Sequence, residues 1–336
     1  MVRKSDQDGA AAMMMTSPNR AQDGVLLADI GGTNARFAVL HDGMVSQISH
    51  LAVGEYATFH GAVDAYLGKL PDAGAIRAAI IAVAGVVQNG RGVLTNSSWV
   101  IDAAELHAVY GFSPARLVND FEAVAWSLPR LAEDRLRQIG GRQPVAGTPL
   151  VALGPGTGLG MAVNIPHAAG PIVLSSEGGH ATMAGNSPRE DAVIGHLRQR
   201  FGHVSAERVL SGNGLENLYQ ALAALDGLAL PTRHAAEITR DGVDGSCATS
   251  RAAVDMFCAM LGTVAGNLAL TLGAKGGIYI AGGILRRVPD YLARSAFRAR
   301  FEDKGRLRSY LEPIPAYLIL DDDVAFTGLR AVAEVS

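Results

Sequence analysis

Two glycine-threonine turns stand at corresponding places in the two halves of the chain, Gly31-Gly32-Thr33-Asn34 and Gly154-Pro155-Gly156-Thr157-Gly158-Leu159-Gly160. A turn of this composition presents several backbone N–H groups on one concave side and adds a threonine hydroxyl, which together make an anion cradle. Two such turns facing each other would clamp a polyphosphate from both sides. A third glycine pair, Gly282-Gly283, follows the apolar run 277–281 and precedes the basic helix start Leu285-Arg286-Arg287. Two acids accompany the turns. Asp29 ends the run 25–29 at the lip of the first turn, placed to orient a magnesium ion through water. Asp120 lies in Leu117-Val118-Asn119-Asp120-Phe121, where an apolar strand enters a helix. The positive end of a helix dipole keeps a carboxylate there ionised. An ordinary helix cap is the competing reading for Asp120.

A polar cluster follows: Glu177-Gly178-Gly179-His180, with Glu207 in His203-Val204-Ser205-Ala206-Glu207-Arg208. Glu-x-x-His ligates metals from a helix face, but two internal glycines argue against helix and no second copy exists. Acids and an imidazole without metal spacing suit a polyhydroxyl ligand, each carboxylate accepting from a pair of hydroxyls. A solvated loop is the plain alternative. Asp321-Asp322-Asp323 reads as a solvated turn rather than a metal site. The sequence has no G-x-x-x-x-G-K-[ST] run, and Leu159 stands where G-x-G-x-x-G needs its last glycine. G-x-S-x-G and H-E-x-x-H are missing too. What fits is phosphoryl transfer without a P-loop, which works by positioning and electrostatics, with Mg²⁺ on the phosphates and a carboxylate taking the acceptor's proton.

The elements that must position these residues alternate in type. Runs 25–29 and 37–40 flank the first turn as a β-hairpin. Runs 150–153 and 161–165 repeat strand, turn, strand around the second, which suggests a cryptic duplication. A buried strand is expected at 78–84, and helices near 102–110, 121–131, 189–200, 214–225, 251–272 and 289–301. Alternating strands and helices argue for an α/β class, and the hairpins make the sheets mixed.

The 336 residues suggest two domains at roughly 150 each. That length buries a core without disulfides or structural metals. A composition 49% hydrophobic and 18% charged excludes disorder for the bulk of the chain. Forty glycines, well above the usual ~7%, imply tight turns or close backbone approach to a ligand. The net charge of −3 carries no nucleic-acid footprint. Cys247 and Cys258 have no zinc-spaced neighbours and read as buried thiols of a reduced, cytoplasmic protein. Residues 256–274 carry no charge, yet Thr263, Gly266, Asn267 and Thr271 mark a buried helix rather than a membrane span. Residues 1–23 read as a disordered tail outside the fold; their apolar run 10–15 is short for a signal-peptide core.

Taken in register, these segments resemble the bacterial ATP-dependent glucokinases, in the hexokinase and actin-like ATPase superfamily. The similarity runs through Ala28-Asp29-Ile30-Gly31-Gly32-Thr33-Asn34-Ala35-Arg36, Thr95-Asn96 with Trp99, Val118-Asn119-Asp120-Phe121, and the second glycine turn. It continues through Ser176-Glu177-Gly178-Gly179-His180, then 205–212, 276–284 and Phe301-Glu302-Asp303-Lys304-Gly305-Arg306. It spans about residues 25–331. The resemblance implies Asp120 as general base on the 6-hydroxyl of glucose, with Asn119, Glu177, His180 and Glu207 on the other hydroxyls. Gly31, Gly32 and Thr33 would form one phosphate loop and Gly156, Thr157 and Gly158 the other, with Gly282 and Gly283 bordering the adenosine.

The implied substrates are ATP and glucose, with Mg²⁺, for the first step of glycolysis in the cytoplasm. The implied fold is a duplicated actin-like one around a cleft. A smaller α/β domain (24–130 plus 322–336) would face a larger α+β domain (131–321), in a homodimer. The chain lacks the cysteine cluster that binds zinc in the ROK sugar kinases, so the resemblance is to the other branch and implies no zinc. It also has Gly85-Val86-Val87 where relatives often carry proline. A kinase for another hexose and a sugar-responsive regulator are the rival readings; the regulator would need a DNA-binding segment that the short N-terminal lead does not supply.

Overall fold

The computed structural model describes residues 23–94 and 97–336; the tail expected over 1–22 and the Thr95-Asn96 pair lie outside the described residues. The first half forms β1 (Gly24–Ile30), β2 (Asn34–His41), β3 (Met44–Ala52), α1 (Phe59–Leu67) and β4 (Ile76–Val83). A small antiparallel ribbon of β5 (Gly85–Gln88), β6 (Arg91–Leu94) and β7 (Val100–Asp102) follows, then α2 (Ala103–Tyr110), β8 (Ala115–Asn119) and α3 (Asp120–Ser127). The main sheet runs β3-β2-β1-β4-β8, with β1, β2 and β3 antiparallel and β1, β4 and β8 parallel. Its central strands β1 and β4 are apolar but for Asp29 and Arg77, because both faces are covered. Leu26 and Ile30 point into a core shared with Phe59, Tyr66 and Leu106. Leu27 points the other way, into a core shared with Trp126 and Phe326.

The second half repeats the pattern with β9 (Leu136–Gly140), β10 (Leu150–Pro155), β11 (Leu159–Ile165), β12 (Ile172–Ser176), α4 (Pro188–Phe201), α5 (Gly212–Leu225), α6 (Ala235–Asp244) and α7 (Ala248–Leu272). Then come β13 (Gly277–Ile280), α8 (Gly283–Arg286), α9 (Pro289–Arg294), α10 (Phe297–Glu302), α11 (Arg308–Leu311), β14 (Ala316–Ile319) and α12 (Val324–Ala333). The sheet order is β12-β11-β10-β13-β14-β9. Strands β10 to β14 reproduce the antiparallel hairpins and parallel crossovers of the first sheet, and β9 adds an antiparallel edge. The duplication expected from the two turns is therefore a duplication of whole sheet topology.

Helix α3 lies between the two sheets. Its Trp126 joins the core under β1, while its Val124 joins Ala152, Ala162 and Tyr279 of the second sheet. Helix α12 crosses α3 so closely that a Cβ on Gly328 would overlap the Ala123 carbonyl.

Helix α7 is long and apolar enough to cross a membrane, but 72% of that stretch is buried inside the protein, where it forms the core helix of the second half. Its glycines explain its neighbours. A Cβ on Gly262 or Gly266 would overlap the Phe297 or Phe301 carbonyl. The single helix expected over 289–301 is instead two, α9 and α10, because Ser295 is extended (ψ 176°) and its hydroxyl accepts from the Phe297 N–H at 3.2 Å. That break turns Phe297 and Phe301 down onto α7. The helix expected over 121–131 also shortens, changing at Leu128–Arg130 to a 3-10 turn that contains Pro129.

Candidate active site

Both glycine turns fold as hairpin connections, each closed by a backbone hydrogen bond of its own. In the first, the Gly31 N–H donates to the Asn34 carbonyl at 2.9 Å; in the second, the Gly156 N–H donates to the Gly158 carbonyl at 2.8 Å. Among the described residues, the N–H groups of Gly32, Thr33, Thr157 and Gly158 have no protein acceptor, so each turn keeps two donors free. The third pair needs its glycine for space. Gly282 has φ +107°, and a Cβ there would overlap the Pro155 carbonyl of the second turn.

Asn119 ends β8 and caps α3. Its Oδ1 accepts the N–H groups of Phe121 at 2.9 Å and Glu122 at 3.3 Å, while its Nδ2 donates to the Gly85 carbonyl at 3.1 Å. One amide hydrogen remains for a ligand. The cap is thus Asn119, which leaves Asp120 free for other work, although one Asp120 oxygen accepts from the Phe121 N–H at 3.0 Å. Gly85 lies against the neighbouring strand, where a Cβ in this backbone position would overlap the Val93 carbonyl.

Asp120 lies in a cleft of about 680 Å³ lined from both halves, with Asp29 and Asn34 on one side and Gly282 and Gly283 on the other. The expectation that a helix N-terminus keeps it ionised needs correction. Burial, and then the nearby Asp29 carboxylate, push Asp120 up to about 7, against the opposing hydrogen bonds from Phe121 and Asn119. Desolvation and a like charge outweigh the helix end.

Asp29 is bound by Arg36, whose Nε donates at 2.9 Å and whose Nη2 completes an ion pair. The aspartate run 321–323 is pinned rather than freely solvated. Arg36 reaches the Asp322 carbonyl at 2.6 Å and the Asp323 carboxylate at 3.3 Å, and Arg286 pairs with Asp322. Sequence reasoning missed both arginines because their partners are far along the chain; only the alternation of Asp29 and Arg36 across a hairpin was a local signal.

The polar cluster assembles on the second turn. A 3-10 turn (Gly178–His180) carries His180, whose Nδ1 lies 3.7 Å from Glu177 and whose Nε2 lies 3.7 Å from Glu207. Backbone bonds between Ala206 and Ala181, and between Met183 and Val204, at 2.9 Å each, bring the two segments together. Glu207 Oε2 accepts the Leu159 N–H at 2.9 Å, so this carboxylate sits directly beneath the second turn. The Gly212 N–H at the start of α5 donates to the Gly156 carbonyl at 2.9 Å.

The structure therefore brings Asp29, Asp120, Gly282 and Gly283 into one cleft. It gathers Glu177, His180 and Glu207 at the second turn. Phe121 joins the two groups, because its ring packs where Cβ atoms on Gly154 and Gly160 would stand. Gly31, Gly32 and Thr33 flank the cleft through Asn34 and do not line it themselves. Four carboxylates line this cleft, Asp29, Asp120, Asp322 and Asp323, and only Asp120 is not paired to an arginine; a carboxylate-rich cleft suits a divalent cation carried in with phosphates. Among the described residues, no three His, Cys, Asp or Glu side chains group to hold a metal by themselves.

Known proteins share this sequence and this fold. Residues 26–336 match the sequence profile of the glucokinase family. The chain is 49% identical over 310 residues to the glucokinase of Paramagnetospirillum magneticum, covering 92% of this chain and 97% of that one. Its structure superposes on that of a glucokinase from an Antarctic psychrotroph with a TM-score of 0.84 at 34% identity, covering 94% and 99% of the two chains. A ROK-family glucokinase from Streptomyces griseus, solved with glucose and AMPPNP, shares the fold at a TM-score of 0.62 and 19% identity, over 93% of this chain and 100% of that one. Matched by the family profile over 26–336 and 49% identical to a glucokinase over nearly the whole of both chains, the chain belongs to the glucokinase family.

Proposed function

We propose that the chain transfers the γ-phosphoryl group of ATP to the 6-hydroxyl of D-glucose, with Asp120 as the general base. The observation that carries this reading is Asp120 itself: relieved of capping by Asn119, half-buried in the cleft and raised to about 7. A base with that value is half ionised near neutrality and accepts a proton efficiently as the hydroxyl attacks. The free N–H groups of Gly32, Thr33, Thr157 and Gly158 hold phosphate oxygens on both sides, and Gly282 and Gly283 let the adenosine approach the backbone. Asp29 would hold Mg²⁺ through water; when bound with ATP, that ion neutralises charge on the phosphates. Asn119, Glu177, His180 and Glu207 accept from and donate to the sugar's other hydroxyls, the two carboxylates by charge-assisted bonds.

The two halves correspond in this reading to a smaller domain of 24–130 plus 322–336 and a larger one of 131–321. They close over the sugar to exclude water and align the hydroxyl. The protein acts in the cytoplasm as a homodimer, without zinc, and its product enters glycolysis. The test is ADP release from Mg²⁺-ATP with and without glucose, beside a panel of mannose, fructose and glucosamine. ADP release indifferent to glucose would overturn the reading.

Two predictions belong here. Glu177→Gln is expected to raise the glucose KM about tenfold, the worth of one charged acceptor, with kcat nearly unchanged; a KM equal to wild type would remove Glu177 from the sugar site. Gly160→Ala places a Cβ inside the Phe121 ring and shifts the start of α3, where Asp120 sits. A displacement near 1 Å costs about 10²-fold in kcat, and Phe121→Leu in the same chain is expected to restore part of it. Wild-type kcat in Gly160→Ala would show that Phe121 does not position the base.

A further inference from the structure

We infer that the pocket between the end of α4 and the face of α5 binds a small phosphomonoester, with a sugar phosphate as its best-fitting class. This goes beyond the proposed function, and its binding test needs no turnover. The pocket encloses about 290 Å³, room for one monosaccharide-sized molecule. Its floor is Phe201, and two guanidinium groups stack on that single ring, Arg200 at 4.7 Å and Arg208 at 4.3 Å from the centroid. Among the described residues neither arginine has a carboxylate within ion-pair distance. Arg200 makes one neutral contact, to Asn217 Oδ1 at 3.3 Å, and the Arg208 side chain makes no hydrogen bond.

An arginine in the last turn of a helix is accounted for by the helix dipole, which covers Arg200. Arg208 belongs to a 3-10 turn (Ala206–Arg208) instead. Two unneutralised forks oriented by one ring suit bidentate contact with phosphate oxygens. The rest of the lining is uncharged or spoken for: Asn213 and Gln220 offer amides, and Glu216 is held by the Ala235 N–H at 3.1 Å and His234 at 3.3 Å. A bare anion would face Glu216 unfavourably, whereas a ligand with hydroxyls beside its phosphate can donate to it.

The pocket connects to the main site through one turn. Arg208 follows Glu207 directly, and the Arg208 carbonyl is fixed by Asn217 Nδ2 at 2.9 Å while the Glu207 carbonyl accepts the Ser211 hydroxyl at 2.9 Å. A phosphate drawing on Arg208 therefore acts on the turn that aims Glu207 at His180 and Leu159.

Calorimetric titration of the full chain with fructose 6-phosphate, and separately with inorganic phosphate, tests this. One site per chain is expected for the sugar phosphate, weakened about tenfold or more by Arg208→Gln or Arg200→Gln, the loss of one charge-assisted contact. Asp120→Asn is expected to bind like wild type. No binding, or binding that both arginine variants leave unchanged, overturns the site. Inorganic phosphate binding as tightly as the sugar phosphate overturns the hydroxyl-bearing ligand and leaves a free-phosphate site. The coupling rests on the proposed function: fructose 6-phosphate is expected to shift the glucose KM in wild type and not in Arg208→Gln, and an equal shift in both overturns it.

Discussion

Asp120→Asn is expected to turn over glucose about 10²–10⁴ times more slowly than wild type, with little change in glucose KM. Asparagine keeps the size of the side chain and one acceptor for the Phe121 N–H, so what it removes is the capacity to take a proton. Single-turnover and steady-state ADP release would measure it; a variant within about tenfold of wild type would sink Asp120 as the base. The same group sets the pH dependence. Since Asp120 must be ionised in the free enzyme and is raised to about 7, kcat/KM is expected to climb with pH below that value and level off above it. A profile already flat at pH 5 would contradict the burial argument. Stability moves in the opposite sense. The unfolded carboxylate titrates near 3.8 and the folded one near 7, so between those values the native state binds more protons and wild type loses stability as pH rises. Asp120→Asn escapes that loss. It is expected to be the more stable protein at pH 8, by an amount on the order of 2–4 kcal/mol, with the gap closing towards pH 4.

Gly328→Ala is expected to be the most damaging small substitution outside the cleft. Its Cβ would overlap the Ala123 carbonyl, which belongs to the backbone of α3 and has no rotamer to yield. Helices α12 and α3 must separate, opening the core around Trp126, Phe326 and Leu329. Overpacking of this kind costs 1–3 kcal/mol when side chains absorb it; with backbone on both sides, about 3 kcal/mol or more is expected. Thermal unfolding would show a fall in Tm of several degrees. Because α3 begins at Asp120, kcat is also expected to drop in the fraction that remains folded. A Tm equal to wild type would mean that the two helices are not held at this distance.

What the sequence displays well is whatever depends on neighbours along the chain. The two hairpins around Gly31 and Gly156 are readable because turn chemistry is local, and repeating that device revealed the doubled sheet. The residue types of Glu177, His180 and Glu207 are readable in the sequence, but that they meet rather than lie in a solvated loop is decided by the backbone bonds between 181–183 and 204–206. Effects that join distant segments are not readable. The charge state of Asp120 depends on desolvation in the cleft and then on Asp29, both of which arise only through strand order. Arg36 meets the carbonyl of Asp322 across 286 positions of chain, and a run of three aspartates by itself looks like any exposed turn. The break between α9 and α10 is local to Ser295, but the seating of Phe297 and Phe301 that it permits depends on Gly262 and Gly266 of α7, far away in sequence.

The seat of Phe121 has a mechanical consequence. Its ring rests in a socket that exists only because Gly154 and Gly160 lack side chains, at the junction of the two halves. In the closure proposed above, a joint of that shape would serve as a pivot, and atoms next to a pivot travel least when the arms swing. Asp120 is the adjacent residue, so in the proposed closure it is expected to move least while the polar cluster and the turns close toward it. The base is then the fixed reference of the machine, and it is substrate, rather than catalyst, that motion delivers into register.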